Sequence, residues 1–222
     1  MTKRKLERFA ELNTFENVIQ PKQEDFIDTD FKFKNKWSKE FFNNQNPVIL
    51  ELGCGKGEYT IGLAEKYPDK NFIGVDIKGD RLWRGGKTSI EKGIKNVAFI
   101  RIQIEQILDF FGKDEISEIW ITFHDPQPNK RRIKKRLTSP QFLERYKKTL
   151  KLNGYINLKT DNIGLFNYTL EVIREAKHNL LYETNDLYNS GCTDDILSIK
   201  TYYEDKFTKK GFKICYLKFQ IH

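Results

Sequence analysis

The sequence predicts an α/β protein with a mostly parallel sheet of seven strands, helices on both faces and an antiparallel hairpin at the C-terminal end. From residue 48 onward, short apolar runs rich in β-branched and aromatic residues alternate with segments of helical periodicity. Parallel strands need long crossovers, and helices fill them. The length of 222 residues suits one large α/β domain, and no internal repeat or low-complexity linker divides the chain.

The predicted strands are PVILELG, NFIGVDI, NVAFIRIQ, EIWITF, GYINLKTD, NLLYETNDL and FKICYLKFQI. Helical spacing of apolar residues lies between them, in YTIGLAEKY, DRLWRGGKTSIEKG, SPQFLERYKKTLKL and GLFNYTLEVIREAKH. A last helix, SIKTYYEDKFTKKG, separates the final two strands, which we expect to pair as the hairpin. Residues 1–40 form a basic N-terminal extension and residues 41–222 the predicted domain. The extension is either a flexible arm that orders on a partner or an ordinary solvated terminus.

Composition limits the partners and the cellular setting. The chain has 39 Lys and Arg against 31 Asp and Glu, a formal charge of +8, which favours a polyanionic partner, either nucleic acid or an anionic lipid surface. Cys54, Cys192 and Cys215 lie far apart without a CxxC pair, which argues against a zinc site or a disulfide framework. No signal peptide and no run of about 18 apolar residues occurs. We therefore expect a soluble cytoplasmic protein with no metal and no membrane anchor.

The stretch ELGCGKG follows the first predicted strand. Its glycines, Gly53, Gly55 and Gly57, allow a tight turn and the close approach of a ligand to the backbone. The spacing differs from the dinucleotide-binding fingerprint because Glu58 stands where the third glycine is needed, and no P-loop follows. The alternative is a tight turn without a ligand.

Two acids end neighbouring predicted strands beside this loop. Glu51 lies at the edge where open α/β sheets bind ligands, and its carboxylate would repel a pyrophosphate but attract a cationic ligand. Asp76 ends the next strand, where it can accept hydrogen bonds from both ribose hydroxyls of an adenosine. An adenosine with a positively charged amino-acid tail satisfies both acids, and S-adenosylmethionine is such a molecule.

The stretch HDPQPNKRRIKKRL follows the fourth predicted strand. Prolines on both sides of Gln127 stiffen this loop and fix where Asp125 and Gln127 project. Six of the seven residues from Lys130 to Arg136 are basic, Ile133 being the exception. Such a cluster can neutralise several phosphates, and the alternative is a solvated charged turn. The residues predicted to contact phosphates are Lys130, Arg131, Arg132, Lys134, Lys135 and Arg136.

Four motifs in order carry a family resemblance: E-x-G-x-G-x-G with a strand-ending acid, the D-P-x-P loop with its basic extension, KTDN after the fifth strand, and a late T-x-[FY]-E. Together they resemble bacterial tRNA (guanine-N7)-methyltransferases, which are class I S-adenosylmethionine-dependent methyltransferases, from about residue 48 to the C-terminus. The resemblance implies a Rossmann-like fold, S-adenosylmethionine as cofactor, tRNA as partner, and formation of 7-methylguanosine at position 46 of the tRNA variable loop.

The resemblance, the glycine-rich loop and the chemistry of the reaction together assign residues. Catalytic roles fall on Asp125 and Asp161. Cofactor-binding positions are Glu51, Gly53, Gly55, Gly57, Asp76, Gln103 and Asp125. Substrate-binding positions are Asn129, Asp161, Thr201 and Glu204. The family usually has Trp where Gln127 stands and Lys where Asn129 stands, and these two departures bear on the packing of guanine and on the loop's contact with tRNA. It usually has Asp where Gln103 stands, a milder departure because a Gln amide can still accept from and donate to the adenine edge.

Methylation at guanine N7 requires little acid–base catalysis. Guanine N7 carries a lone pair and no proton, so its attack on a sulfonium methyl needs no general base. A carboxylate, from Asp125 or Asp161, would stabilise the positive charge that develops and would select guanine by accepting its N1–H and N2–H. Two other interpretations stay open: a methyltransferase of the same fold with another RNA or a small molecule as acceptor, and a non-catalytic tRNA-binding protein. A monomer and a homodimer are equally compatible with the sequence.

Overall fold

The computed structural model describes residues 3–22, 31–192, 197 and 199–222. These residues form eight strands, and they group into two compact units, Met1–Gly112 and Lys113–His222. Strands and helices alternate along most of the chain, which confirms the predicted α/β class. Within the described ranges, no helix combines the length and the apolar character that crossing a bilayer requires.

The first unit contains four parallel strands in the order β1-β4-β3-β2. The strands are β1 (Val18–Ile19), β2 (Val48–Leu52), β3 (Asn71–Asp76) and β4 (Val97–Arg101). Its α-helices are α1 (Lys3–Leu12), α2 (Glu58–Lys66), α3 (Gly79–Glu91) and α4 (Ile107–Phe110), and a π-helix spans Trp37–Phe41. Every residue of β2 and β3 is buried, which is why these strands have nearly continuous apolar sequences.

The second unit contains β5 (Ile116–Thr122), β6 (Leu150–Thr160), β7 (Asn179–Thr184) and β8 (Cys215–Gln220), in the order β5-β6-β8-β7. The pair β5–β6 is parallel, whereas β8 is antiparallel to both β6 and β7. This confirms the predicted C-terminal hairpin. The helices are α5 (Pro140–Lys147), α6 (Ile163–Glu175) and α7 (Tyr202–Thr208), with 3₁₀ turns at Lys130–Lys135 and Leu187–Asn189.

Two differences from the sequence-based expectations concern the number of strands and the length of α5. It has one strand more than the seven predicted, because β1 lies within the N-terminal extension and has only two residues, too few to give a periodic signal. The predicted helix SPQFLERYKKTLKL is also too long. The α5 helix ends at Lys147, because Leu150 pairs with Ile116 as the start of β6, and Thr149 Oγ1 donates to Tyr146 O at 3.1 Å in the connecting turn.

Candidate active site

The loop after β2 has the backbone that its glycines predict. Gly53, Gly55 and Gly57 have φ angles of +76°, +58° and +71°, a left-handed conformation that glycine adopts without strain. The N–H groups of Gly53 and Cys54 both donate to Val75 O, at 2.8 and 3.1 Å. The loop is therefore held against the end of β3.

A single buried ring, Phe99 of β4, determines how closely the loop packs. A Cβ atom on Gly57 would lie 2.4 Å from Phe99 Cε1, one on Gly74 of β3 would lie 2.7 Å from Phe99 Cδ1, and one on Gly85 of α3 would lie 2.7 Å from Phe99 Cζ. Three elements thus approach the same ring at positions where a side chain does not fit. Gly55 is different, because a Cβ there would meet nothing within 4 Å. The loop consequently presents Gly55 toward open space.

The two predicted cofactor acids also support the loop and the helix behind it. Glu51 is buried, and its Oε2 accepts hydrogen bonds from the backbone N–H of Thr60, at 2.8 Å, and from the Thr60 hydroxyl. This N–H lies in the first turn of α2, where intrahelical partners are lacking. Asp76 Oδ2 accepts from Gly55 N–H at 2.9 Å, and its Oδ1 accepts from Lys78 N–H at 2.8 Å. Both carboxylates therefore have structural partners before any ligand arrives.

Cys54 and Gln103 complete the predicted cofactor side. Burial raises the pKa of the Cys54 thiol well above its usual value, and the nearby charges of Glu51 and Asp76 raise it further. This cysteine is a buried part of the loop. Gln103 is exposed two residues after β4, and its N–H donates to Gln106 Oε1 at 3.3 Å.

In the second unit, the structure brings the two predicted catalytic carboxylates to one edge of the sheet. β5 and β6 are in parallel register up to Thr122 opposite Lys159, so Asp125 and Asp161 follow adjacent strands at their carboxyl ends. Asp125 is exposed, and its Oδ1 accepts from Gln127 N–H at 2.9 Å. Asp161 is half-buried. This edge is where open α/β sheets bind ligands.

Arg136 holds the loop that carries Asp125 by hydrogen bonds to its backbone. Gln127 has a φ of +46°, an unusual value for a residue with a side chain. Arg136 Nε donates to Pro126 O at 3.1 Å and also contacts Gln127 O at 3.4 Å, while the guanidinium lies 4.3 Å from the centre of the Tyr168 ring. Arg136 was predicted to contact phosphate. Its contacts instead resemble those of a residue that fixes the shape of the loop.

The other five basic residues of this cluster face solvent. They lie in and around the 3₁₀ turn Lys130–Lys135, whose start is capped by Asn129, with Oδ1 accepting from Arg131 N–H at 2.9 Å. Within the part of the chain that the structure describes, no ion pair neutralises any of the five. The exposed cations are Lys130, Arg131, Arg132, Lys134 and Lys135.

Thr201 and Glu204, predicted to bind the substrate, are engaged within the fold. Thr201 Oγ1 accepts from Glu204 N–H at 3.1 Å and so caps the start of α7. Glu204 is fully buried, and its Oε1 lies 2.7 Å from Nζ of Lys159, which is also fully buried. Lys159 Nζ donates further to Leu197 O and Ile199 O, both at 3.1 Å.

Tyr188, which is 39% exposed, also contacts Glu204. Its hydroxyl donates to Glu204 Oε1, and burial together with this hydrogen bond raises the pKa of the tyrosine. The sequence analysis did not identify Lys159 or Tyr188 as partners of Glu204. One signal was present: a lysine near the end of the predicted interior strand GYINLKT implies a buried partner for its charge.

Comparison with known proteins identifies the family. A family of putative methyltransferases matches residues 45–217. A tRNA (guanine-N(7)-)-methyltransferase from Christiangramia forsetii is 52% identical over 99% of this chain and 99% of its own length. Proteins with the same description from Bacteroides fragilis and Clostridium novyi are 51% and 40% identical, over 99% and 86% of this chain and 86% and 88% of their own lengths.

Solved structures agree on the fold. A 30S ribosomal A1408 methyltransferase from an uncultured bacterium superposes with a TM-score of 0.60 at 17% identity, over 85% of this chain and 93% of its own. A SAM-dependent methyltransferase from Aquifex aeolicus superposes with a TM-score of 0.54 at 13% identity, over 96% and 98% of the two chains. At such identities the likeness concerns the fold alone, whereas the sequence relatives define the family. The chain belongs to the tRNA (guanine-N(7)-)-methyltransferase family, which confirms the prediction from its motifs.

Proposed function

We propose that this chain is a cytoplasmic enzyme that transfers the methyl group of S-adenosylmethionine to N7 of guanosine 46 in the variable loop of tRNA. The names of its relatives support tRNA and guanine N7 as the target. The observation that carries the proposal is the pair of carboxylates, Asp125 and Asp161, at the ends of adjacent strands, with a solvent-facing cationic turn directly after the first of them.

The first unit has features that fit the cofactor. The open side of Gly55 leaves room for a ligand against the backbone, and the Asp76 carboxylate is anchored beside it. A carboxylate has about four lone-pair sites, so Asp76 can accept ribose hydroxyls in addition to its two backbone N–H groups. When bound, S-adenosylmethionine supplies an electrophilic methyl group on a sulfonium centre. The residues that would hold it are Glu51, Gly53, Gly55, Gly57, Asp76, Gln103 and Asp125.

The second unit supplies the acceptor chemistry in this proposal. N7 of guanine already has a free lone pair, so the protein needs to orient the base and not to deprotonate it. Alkylation at N7 places positive charge on the purine, and the carboxylate of Asp161 or Asp125 stabilises that charge as it forms. The same carboxylate can accept N1–H and N2–H of guanine. Adenine lacks these two donors, so it would leave the carboxylate unpaired and be rejected.

The exposed cations bind the tRNA backbone in this proposal. Each phosphate that Lys130, Arg131 or a neighbouring cation neutralises releases condensed counterions and makes the binding sensitive to salt. Arg136 contributes differently, because its hydrogen bonds to Pro126 and Gln127 hold the loop in place. Asn129 begins the cationic turn, so we assign it the positioning of these cations beside the substrate.

The test is transfer of a labelled methyl group from S-adenosylmethionine to unmodified tRNA transcripts that carry guanosine or adenosine at position 46. Label is expected only with guanosine, and digestion is expected to release it as 7-methylguanosine. Asp161→Asn and Asp125→Asn keep the shape of the side chain and remove its charge, and kcat is expected to fall by about 100-fold or more for the residue that stabilises the purine charge.

Asp69→Asn is the matched control, because Asp69 is exposed in the turn between α2 and β3. Full activity in both Asp125→Asn and Asp161→Asn would refute the role of the carboxylates. Absence of label in the wild-type protein, with cofactor bound, would refute the acceptor and favour another RNA or a small molecule. Binding of tRNA without any transfer to it would favour a non-catalytic tRNA-binding protein.

A further inference from the structure

An open groove of about 610 Å³ lies in the first unit, beside the glycine-rich loop. Its walls are formed by α1, α2 and α3, with Lys56 of the loop at one side. We name it the α1–α3 groove. Five exposed cations line it: Arg8 of α1, Lys56, Arg81 and Arg84 of α3, and Lys92. None of the predicted site residues lines this groove.

The acids in the groove are accounted for by local interactions. Glu65 forms an ion pair with Lys92 at 2.6 Å, so these two charges offset each other. Glu58 and Asp80 lie in the first turns of α2 and α3, where a negative charge stabilises the helix dipole. The acids therefore leave an excess of positive charge in the groove.

The arginines of the groove are available to a partner. Arg8, Arg81 and Arg84 form no ion pair with any residue that the structure describes. The Arg8 guanidinium lies over the Trp83 ring, 4.5 Å from its centre, and this cation–π contact does not use the N–H donors that bind oxygen acceptors. Guanidinium groups bind phosphate oxygens through paired N–H donors, so three of them in one groove favour a ligand with several phosphates.

The α1 helix is fixed in place, so Arg8 does not have to be ordered by the partner. Glu11 accepts hydrogen bonds from Lys87 Nζ, at 2.8 Å, and from Trp83 Nε1, at 2.7 Å, and these bonds lower the pKa of its carboxyl group. Phe9 packs so closely on Gly79 that a Cβ there would lie 2.5 Å from its ring. A preformed cationic surface binds with less loss of conformational entropy than a flexible arm.

We propose that the α1–α3 groove binds the sugar–phosphate backbone of tRNA, as a contact separate from the cationic turn Lys130–Lys135. This inference rests on the proposed function for the identity of the RNA. It replaces the flexible-arm interpretation of the N-terminal extension with a folded one, because α1 and Trp83 hold Arg8 on the groove before tRNA arrives.

The experiment measures binding of an unmodified tRNA transcript by fluorescence anisotropy across a salt series. The test variant is Arg8→Gln/Arg81→Gln/Arg84→Gln. The control removes the same number of charges at exposed positions that do not line the groove, in Lys95→Gln/Lys151→Gln/Lys177→Gln. Removing three phosphate contacts is expected to lower the slope of log K against log salt by about two to three, and to raise Kd by about tenfold or more near 0.15 M salt.

A second variant, Arg81→Gln/Arg84→Gln, keeps Arg8 on Trp83 and is expected to show about two thirds of the change in slope. Thermal unfolding of all variants checks that the fold is retained. A slope and Kd equal to those of the lysine control overturn the groove proposal, even if the wild-type protein methylates tRNA. Reduced binding in the arginine variants supports the groove even if the wild-type protein transfers no methyl group, in which case only the proposed function fails.

Discussion

Replacing Lys159 with Met is expected to destabilise the protein by about 3–5 kcal/mol, because it leaves the charge of Glu204 buried without a cationic partner. Both side chains are fully buried, and the ammonium contacts Glu204 Oε1 at 2.7 Å and Oε2 at 3.0 Å. The carbonyls of Leu197 and Ile199, each 3.1 Å from Nζ, lose their donor as well. Solvent cannot compensate for either loss at this depth.

A matched control lies on the same helix. Lys209, which caps the C-terminal end of α7, pairs with Asp205 at 2.5 Å, with 73% and 48% of these side chains exposed. Lys209→Met should therefore cost only about 0.3–0.5 kcal/mol. The double variant Lys159→Met/Glu204→Gln removes the buried negative charge and keeps an acceptor for Tyr188. It should therefore recover a large part of the stability lost in Lys159→Met. Together with the single variants it completes a double-mutant cycle, which gives the coupling energy between Lys159 and Glu204.

The assay is urea unfolding followed by far-UV circular dichroism, with the free energy obtained by linear extrapolation. If Lys159→Met lost no more stability than Lys209→Met, the ion pair would not be buried in solution. Glu204 would then be accessible, and its predicted role in binding the substrate would regain support over the structural role that the geometry gives it.

Three further predictions concern individual groups. Cys54 should resist alkylation by iodoacetamide at pH 8 while the half-buried Cys192 reacts, because burial raises the pKa of the Cys54 thiol; mass spectrometry of the folded protein checks this, and equal labelling would contradict it. The hydroxyl of Tyr188 must stay protonated to donate its hydrogen bond, and its pKa is raised in the folded protein. Stability should therefore decline above about pH 10, the pKa of an unperturbed tyrosine. Between pH 9 and 11 the free energy of unfolding of the wild-type protein should fall by more than that of Tyr188→Phe. Gly55→Ala should lower stability by about 1–2 kcal/mol, because of its left-handed backbone alone. Gly57→Ala should lower it by about 1–3 kcal/mol more, because its methyl group would also collide with the buried Phe99 ring of β4. Equal losses of stability in urea unfolding would refute the packing argument.

The features that could be predicted from sequence were those with a local or periodic cause. The buried strands β2 and β3 have continuous apolar runs, and the glycines and strand-ending acids of the loop after β2 lie close together in sequence. The interactions that were missed join distant segments. Glu204 is 45 residues from Lys159, and the fold brings them together through β6 and α7. Arg136 could not be distinguished from its exposed neighbours, because its role depends on Tyr168 and on two carbonyls of the preceding loop.

The double use of the acids near the glycine-rich loop affects how mutations there should be interpreted. Glu51 holds the start of α2 through Thr60, and Asp76 holds Gly55 and Lys78, so removing either carboxylate perturbs the loop whether or not a cofactor binds. Even Asp76→Asn is expected to be unfavourable, because the N–H groups of Gly55 and Lys78 each donate to one oxygen of the carboxylate. In the variant, the amide NH₂, itself a donor, would face one of these two N–H groups. Loss of activity in such variants therefore does not by itself assign a ligand contact. The decisive quantity is the dissociation constant for S-adenosylmethionine, measured under conditions in which the variant and the wild-type protein are both fully folded. A lost direct contact weakens binding under these conditions even when the conformation of the loop is unchanged.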